Sequence, residues 1–275
     1  MYIAAILLGL TGAIAAFILY FFSKKFEVKE DPRIPQILGI LPGANCGGCG
    51  FPGCGGFANA CVKADSLKGL SCPVGGSDLM KNIGAIMGCD TEDVIPQIPV
   101  VRCNGIYSVR ERTNIYDGAK SCAIASSLYG GNTGCSFGCL GMGDCVTVCA
   151  FDALRINPAT GVPEVAEDKC TACGLCAKAC PKNIIEMRKK GVKSRRIFVS
   201  CVNKDKGGVA RKACQNACIG CSKCLKECEF EAITIDRNLA YIDDTKCRLC
   251  RKCVSVCPTG AIHELNFPQR KITDN

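Results

Sequence analysis

The distribution of apolar and polar residues sets an uncharged N-terminal segment apart from a long cysteine-rich remainder. Residues 2–22 contain no charged side chain, and a helix of this length spans ~31 Å, close to the apolar thickness of a bilayer. Four basic residues follow it: Lys24, Lys25, Lys29 and Arg33. There are two alternatives to a membrane anchor, a cleaved signal peptide and a buried core helix. A signal peptide would begin with basic residues and end in a small-residue cleavage site. We therefore predict a single-pass anchor at 1–25 in the inner (plasma) membrane, a linker at 26–40, and the C-terminal domains in the cytoplasm.

A twelve-residue pattern then recurs four times. Each copy has two cysteines four apart, a bend, and a short apolar run of strand character: "ALRI", "IIEM", "AITI" and "AIHE". The copies form two pairs, which predicts two tandem bacterial ferredoxin-like modules with an α+β fold, at 103–200 and 201–275. A glycine-rich cysteine module at 41–90 precedes them. The proline-marked stretch 91–102 is predicted to be a linker that lets the modules swing.

The number and spacing of the cysteines predict iron–sulfur chemistry. The chain has 26 cysteines in 275 residues, many in runs of the form C-x2-C-x2-C-x3-C. Disulfide scaffolds and zinc sites are the alternatives, but the short gaps do not suit long-range disulfides, and a zinc knuckle has no use for the third and fourth cysteines. In two-cluster ferredoxins, three cysteines of such a run bind one [4Fe–4S] cluster and the fourth binds the neighbouring cluster.

This exchange of the fourth cysteine predicts four ligand sets in the repeats. The first repeat departs from the common spacing, because "LGMGD" stands between Cys139 and Cys145 and reads as an insertion. The predicted sets are Cys135, Cys139, Cys145 with Cys180; Cys170, Cys173, Cys176 with Cys149; Cys218, Cys221, Cys224 with Cys257; and Cys247, Cys250, Cys253 with Cys228.

The glycine-rich module predicts a fifth [4Fe–4S] cluster. Its sequence "NCGGCGFPGC" supplies Cys46, Cys49 and Cys54, and Cys72 in "SCPVGG" completes the set. Glycines between these cysteines allow the backbone to approach cluster sulfides closely. Cys61 is the rival fourth ligand; we favour Cys72 because a Pro-Val-Gly-Gly turn follows it. A lone zinc site is the alternative for this module.

Six cysteines remain after these assignments, and four of them flank the modules. We predict that Cys103, Cys122, Cys201 and Cys214 hold a sixth cluster, with Cys61 and Cys89 unliganded. The alternative for all four is a role as buried structural thiols.

The net charge of +9 suggests a nucleic-acid partner at first sight. However, an oxidised [4Fe–4S] cluster with its thiolates carries about −2, so six clusters would bring about −12 and offset the basic residues. We therefore expect no nucleic-acid partner. The sequence also has no G-x-G-x-x-G motif that follows a predicted strand, so we expect no flavin or nicotinamide site on this chain.

The order of these features resembles the B-subunit family of the Rnf complex, in the long form with two ferredoxin modules. The resemblance rests on the uncharged span, then "GANCGGCGFPGC" with "SCPVGG", then the repeats. It implies a subunit of a membrane complex that couples electron transfer between reduced ferredoxin and NAD+ to Na+ or H+ transport, with soluble ferredoxin and other Rnf subunits as partners. An iron–sulfur subunit of another oxidoreductase, such as a hydrogenase, is the alternative, and a membrane-tethered zinc protein is a second.

Overall fold

The computed structural model describes residues 2–25, 31–93 and 95–269, and in these ranges every side chain except those of Tyr2, Ala4, Ala5, Leu8 and Tyr129. The helices are α1 (Tyr2–Lys25), α2 (Arg33–Ile40), α3 (Gly53–Lys63), α4 (Gly76–Met87), α5 (Cys122–Tyr129), α6 (Asp144–Thr147), α7 (Leu175–Ala179), α8 (Gly207–Ala213), α9 (Lys223–Lys226) and α10 (Lys252–Ser255). The strands are β1 (Gln97–Val101), β2 (Leu154–Ile156), β3 (Pro163–Val165), β4 (Ile185–Lys189), β5 (Arg196–Val199), β6 (Ile233–Asp236), β7 (Leu239–Ile242) and β8 (Ile262–Leu265).

The N-terminal uncharged segment forms helix α1, which ends at Lys24 and Lys25. Basic side chains in the last turn of a helix interact favourably with its dipole. Every side chain described in this helix is exposed. Within the described residues, no helix combines the length and apolar character needed to cross a membrane, so the predicted anchor is not confirmed.

The glycine-rich module is a small helical unit. Helices α2, α3 and α4 pack around a core in which Ile37, Phe57, Met80 and Ile83 are almost fully buried. Helix α4 ends at Met87, and the next residue, Gly88, has a φ of 69° in the left-handed region that commonly ends helices. This core supports the loop that carries the first three cysteines of the module.

The two repeat modules share one topology. In each, the first strand pairs antiparallel with the last, β1 with β4 and β5 with β8. The two middle strands form a hairpin, β2 with β3 and β6 with β7. The predicted α+β fold of tandem ferredoxin-like modules is therefore present, and each strand predicted after a fourth cysteine is observed.

The boundaries between modules differ from those expected. The second half of the predicted 91–102 linker is strand β1, in which Ile98 and Val100 are buried, so this part of the chain belongs to the first ferredoxin module. Strand β5 likewise belongs to the second module because it pairs with β8. Residues 196–199, which the sequence prediction placed in the first module, therefore pair with a strand of the second.

The N-terminal module contacts the first ferredoxin module directly. A Cβ atom added to Gly48 would lie 2.8 Å from the carbonyl oxygen of Cys173 and 2.9 Å from its Cβ. Only glycine allows so close an approach of two backbones. The contact joins a loop of the glycine-rich module to a cysteine loop of the neighbouring module.

Candidate iron–sulfur centres

The four cysteine loops of the repeats share an unusual backbone. In each loop, the second and fourth residues after the first cysteine have positive φ values near those of the left-handed region. These residues are Gly141 and Gly143, Ala172 and Gly174, Gly220 and Ser222, and Leu249 and Arg251. Each pair brackets the position of the second cysteine and leads into the short helix that carries the third.

This backbone suits a bound anion. Alternation of right- and left-handed residues turns successive N–H groups to the same side, and such concave nests bind phosphates and iron–sulfur clusters. Ala172, Leu249 and Arg251 adopt this conformation at a cost of about 1–2 kcal/mol each, because a Cβ crowds the backbone there. Strained residues at matching places in separate loops indicate that a common occupant determines the conformation.

In the second module, the structure brings together both cysteine sets expected from the sequence. One cavity is lined by Cys218, Cys221, Cys224 and Cys257, and another by Cys228, Cys247, Cys250 and Cys253. The fourth cysteine of each motif therefore lies with the first three of the other. The backbone N–H of Ala240 also donates to Cys218 Sγ at 3.5 Å, the kind of N–H···S contact that tunes cluster potentials.

In the first module, the set of Cys170, Cys173, Cys176 and Cys149 also lies together. Burial raises the pKa of Cys170; the N–H of Ala172 opposes this increase, and the nearby Cys173 and Cys149 thiols add to it. The N–H of Ala153 donates to Cys149 Sγ at 3.4 Å.

The other cavity of the first module differs from the sequence prediction. It is lined by Cys122, Cys139, Cys145 and Cys180, so Cys122 stands where Cys135 was expected. Burial raises the pKa of Cys145 to about 11, and the adjacent Cys122 and Cys180 thiols contribute to the increase.

Asp144 explains how Cys122 reaches this cavity. The N–H groups of Cys122 and Ala123, at the start of helix α5, donate to the Asp144 carboxylate at 2.8 and 3.0 Å, and Ser121 Oγ donates to it at 3.0 Å. Partial burial opposes ionisation of Asp144, but these donors hold its pKa below the usual range. Because Asp144 precedes Cys145 directly, the carboxylate fixes the helix start beside that cysteine.

The first motif is the second-module motif without its middle cysteine. Residues 135–149 have the spacing C-x3-C-x5-C-x3-C, and residues 214–228 have C-x3-C-x2-C-x2-C-x3-C, with the same total length. Met142 occupies the position of Cys221, between two left-handed residues as in the other loops. "LGMGD" is therefore not an insertion, contrary to the sequence interpretation. The equal length of the two motifs is the feature of the sequence that could have shown this.

The displaced Cys135 lines a different cavity. It lies there with Cys103, Cys201 and Cys214, the other three cysteines predicted for a sixth cluster. Compared with the prediction, Cys122 and Cys135 have changed places: Cys122 lies in the cavity of the first ferredoxin set, and Cys135 lies in the cavity of the predicted sixth cluster.

In the glycine-rich module, Cys72 is close to the first cysteines of the loop. Burial raises its pKa; the N–H groups of Gly75 and Val74 oppose this, and the Cys49 and Cys46 thiols add to it. Asn45 Oδ1 accepts the Cys54 N–H at 2.8 Å and so fixes the loop at the start of α3. Cys61, fully buried in α3, also has a raised pKa of about 11, from burial first and then from its neighbours Cys49, Cys72 and Cys89.

The donor sets and cavities fit [4Fe–4S] clusters. The four cavities are similar in size, with about 350, 320, 400 and 320 Å³ of atom-free space, open solvent included. Each presents four cysteine sulfurs, the ligands that [4Fe–4S] clusters use. Among the described residues, no group of three or more His, Cys, Asp or Glu side chains is placed to hold a single metal ion.

Comparison with known proteins agrees with this chemistry. A model of the 4Fe-4S dicluster domain matches residues 134–184 and 217–261, and a model described as a putative Fe-S cluster matches residues 41–73. The latter range includes Cys72 and excludes Cys89. Multiple [4Fe–4S] clusters are thus confirmed as the cofactors.

Several curated relatives resemble nearly the whole chain. The B subunit of the Na(+)-translocating ferredoxin:NAD(+) oxidoreductase complex of Acetobacterium woodii is 42% identical over 93% of this chain and 75% of its own length. The B subunit of the ion-translocating oxidoreductase complex of Methanosarcina acetivorans is 40% identical over 94% and 96%, respectively. The B subunit of the proton-translocating ferredoxin:NAD(+) oxidoreductase complex of Clostridium ljungdahlii is 36% identical over 94% and 90%.

Proposed function

Because this chain belongs to the B-subunit family of ion-translocating ferredoxin:NAD+ oxidoreductase complexes, we propose that it is the multi-cluster electron-transfer subunit of such a complex. The complex couples electron transfer between reduced ferredoxin and NAD+ to the transport of Na+ or H+. The names of two relatives specify different ions, Na+ and protons, so either ion is compatible with the family.

The observation that carries the proposal is the series of cysteine-lined cavities along one chain. Each cluster, when bound, accepts and releases one electron. The residues of the chain supply the conditions for this: thiolates bind the irons, the left-handed loops turn N–H groups towards the bound anion, and buried apolar residues limit water. Several such sites in one chain are suited to electron transfer through the protein.

We propose five ligand sets on the basis of these positions. Four combine the ferredoxin motifs, with Cys122 in place of Cys135, and the fifth belongs to the glycine-rich module. The sets are Cys122, Cys139, Cys145, Cys180; Cys149, Cys170, Cys173, Cys176; Cys218, Cys221, Cys224, Cys257; Cys228, Cys247, Cys250, Cys253; and Cys46, Cys49, Cys54, Cys72.

Soluble ferredoxin is the proposed electron donor, and the second module is its proposed contact. All 26 cysteines lie in the described part of the chain, and only Cys221 and Cys250 among them are exposed. These two belong to the two cluster sets of the second module. A soluble protein can therefore approach these sites more closely than the others.

Helix α1 is proposed to attach the subunit to the membrane, with the cysteine modules on the cytoplasmic side. Its described apolar side chains are exposed; Leu7 and Phe17, for example, are 60% and 70% exposed. An apolar helix exposed on all sides is stable only against lipid or other apolar partners. The reducing cytoplasm also suits cysteines that bind iron.

The test is anaerobic purification of the full chain and of the complex that contains it. We expect at least about 20 irons per chain with equal acid-labile sulfide, and reduction of NAD+ by the complex when reduced ferredoxin is supplied. Cysteine-to-alanine changes at Cys221 or Cys250 should slow electron uptake from ferredoxin. Cys89→Ala, outside all proposed sets, should not. A chain without iron, or a complex inactive with ferredoxin, would contradict the proposal.

A further inference from the structure

The cavity that contains Cys135 lies between the two ferredoxin modules and takes two cysteines from each. Cys103 comes two residues after strand β1, and Cys201 two residues after the matching strand β5. Cys135 lies four residues before Cys139, and Cys214 lies four residues before Cys218. Cys139 and Cys218 are the first motif cysteines in the cluster sets of their modules. The four residues are therefore two pairs at equivalent positions of the duplicated fold.

The contacts of these cysteines repeat this symmetry. The N–H of Cys139 donates to Cys103 Sγ at 3.4 Å in the first module. In the second module, Cys218, the residue equivalent to Cys139, lies in the same buried cluster as Cys201 and Cys214. Each pair of the shared site is thus adjacent to one cluster set of its own module.

The surroundings of the cavity suit an anionic group bound through sulfur. Cys135, Cys201 and Cys214 are 6–8% exposed, and Asn203, which is 1% exposed, directs its side-chain nitrogen to Cys135 Sγ at 3.6 Å. The N–H of Asn203 also donates to Cys201 Sγ at 3.5 Å. Hydrogen bonds to sulfur are typical of the surroundings of iron–sulfur clusters, where they help to set the cluster potential.

Arg110 supplies a buried positive charge at the same cavity. Its side chain lines the cavity and is 5% exposed. One guanidinium nitrogen donates to the Cys139 carbonyl, but Nε is buried without a hydrogen-bond partner among the described residues. A buried guanidinium is costly without a compensating anion, and the four sulfurs beside it would provide that charge as cluster ligands.

The thiols themselves are mutually close. Cys103, Cys135 and Cys214 line the same cavity, together with Arg110 and Asn216. Cys103 and Cys135 belong to the first module and Cys214 to the second. The proximity therefore crosses the boundary between modules.

We infer that Cys103, Cys135, Cys201 and Cys214 bind a sixth [4Fe–4S] cluster, which is shared by the two ferredoxin modules. The inference rests on the proposed function, since it adds one site to the same electron-transfer chain. The position between the Cys139 and Cys218 sets makes this site the connection between the two modules. It also means that cluster binding fixes the modules to each other.

The test compares iron contents of full-length variants purified without oxygen. The wild type should contain about 24 irons per chain. Cys135→Ala and Cys214→Ala should each lose up to about four irons and equal sulfide, and the double variant should lose no more than either alone because both residues serve one cluster. Cys122→Ala combined with Cys135→Ala should lose about twice as much, since these residues serve different clusters. Cys89→Ala is the control and should lose none.

The outcomes separate this inference from the proposed function. A wild type without iron contradicts both. A wild type with about 20 irons, or additive losses for Cys135→Ala and Cys214→Ala, overturns the shared cluster and leaves the function intact. One zinc per chain that both single variants lose also overturns it. If the variants fold poorly, the iron content and EPR spectrum of the reduced wild type still decide between five and six clusters.

Discussion

Replacement of Met142 by cysteine is predicted to compensate for loss of Cys122. In the structure, Cys122 supplies the sulfur that the first motif lacks, because Met142 stands at the position of Cys221. The backbone there already has the required form: Gly141 and Gly143 have φ values of 70° and 91°, similar to the loops that do carry a cysteine at this place. A cysteine at 142 should therefore point its sulfur as its counterparts do.

The expected changes are large enough to measure. Cys122→Ala leaves three thiols at its cavity and should reduce iron by about one to four atoms per chain, and the double variant with Met142→Cys should restore them. Shortening the partly buried Met142 removes roughly two methylene equivalents, at most about 1.5 kcal/mol. That cost is small beside the ~10 kcal/mol that a structural metal site can contribute to folding. We therefore expect the double variant to fold and to regain the iron that Cys122→Ala loses.

The assay is iron and sulfide content after anaerobic purification, with EPR of the reduced protein and circular dichroism to verify the fold. Cys89→Ala serves as the matched control. Full iron content in Cys122→Ala would refute the assignment of this residue as a ligand. A folded double variant that still lacks the iron would refute the equivalence of Met142 with the missing cysteine.

Three further predictions follow from the same contacts. Asp144→Ala should free the start of α5 and speed iron loss from the Cys122 site during chelator treatment, whereas Asp144→Asn, which keeps an acceptor oxygen, should have a smaller effect; equal rates would contradict the role of Asp144. Gly48→Ala should force the glycine-rich module away from Cys173 and speed proteolysis between the modules. Gly55→Ala is the control, because its Cβ would meet no described atom within 4 Å, and it should not change the rate of cleavage. An unchanged rate in Gly48→Ala would count against the contact. Complete removal of iron should unfold both ferredoxin modules, because their apolar cores are small, and a far-ultraviolet circular dichroism spectrum that stays unchanged would contradict this.

Local sequence patterns predicted much of the fold. The short apolar runs after each fourth cysteine are the strands β2, β4, β6 and β8, as expected from their composition. The pairing of β1 with β4 is not visible in such patterns, since the two strands are far apart in sequence and β1 contains Pro99. Proline is tolerated in edge strands, but it is also typical of linkers, and the local sequence does not distinguish the two.

The ligand sets were predictable where the motifs are regular and not where one cysteine is displaced. Three sets of the repeats lie together as the spacing predicted. The exchange of Cys122 and Cys135 depends on the Asp144 carboxylate, which holds a helix start that precedes it by more than twenty residues. No local spacing encodes such a contact. Only the equal length of the two motifs pointed to Met142 as a replaced cysteine.

The two modules differ in how their cysteine loops are covered. In the first, 31 residues separate Cys103 from Cys135, whereas 12 separate Cys201 from Cys214, and the longer segment contains α5 with Cys122. That helix covers one cysteine loop of the first module, and Gly48 of the glycine-rich module covers the other at Cys173.

The loops of the second module contain Cys221 and Cys250, the two exposed cysteines among the 26, all of which the structure describes. Electron transfer between separate proteins favours a site near the surface, while transfer within a complex favours sites enclosed by protein. The covered first module is therefore suited to exchange within the chain and the open second module to a soluble partner. A variant that shields the second-module loops with bulky side chains should slow ferredoxin-dependent reduction without changing the iron content. If it did not, electrons would have to enter through another part of the chain.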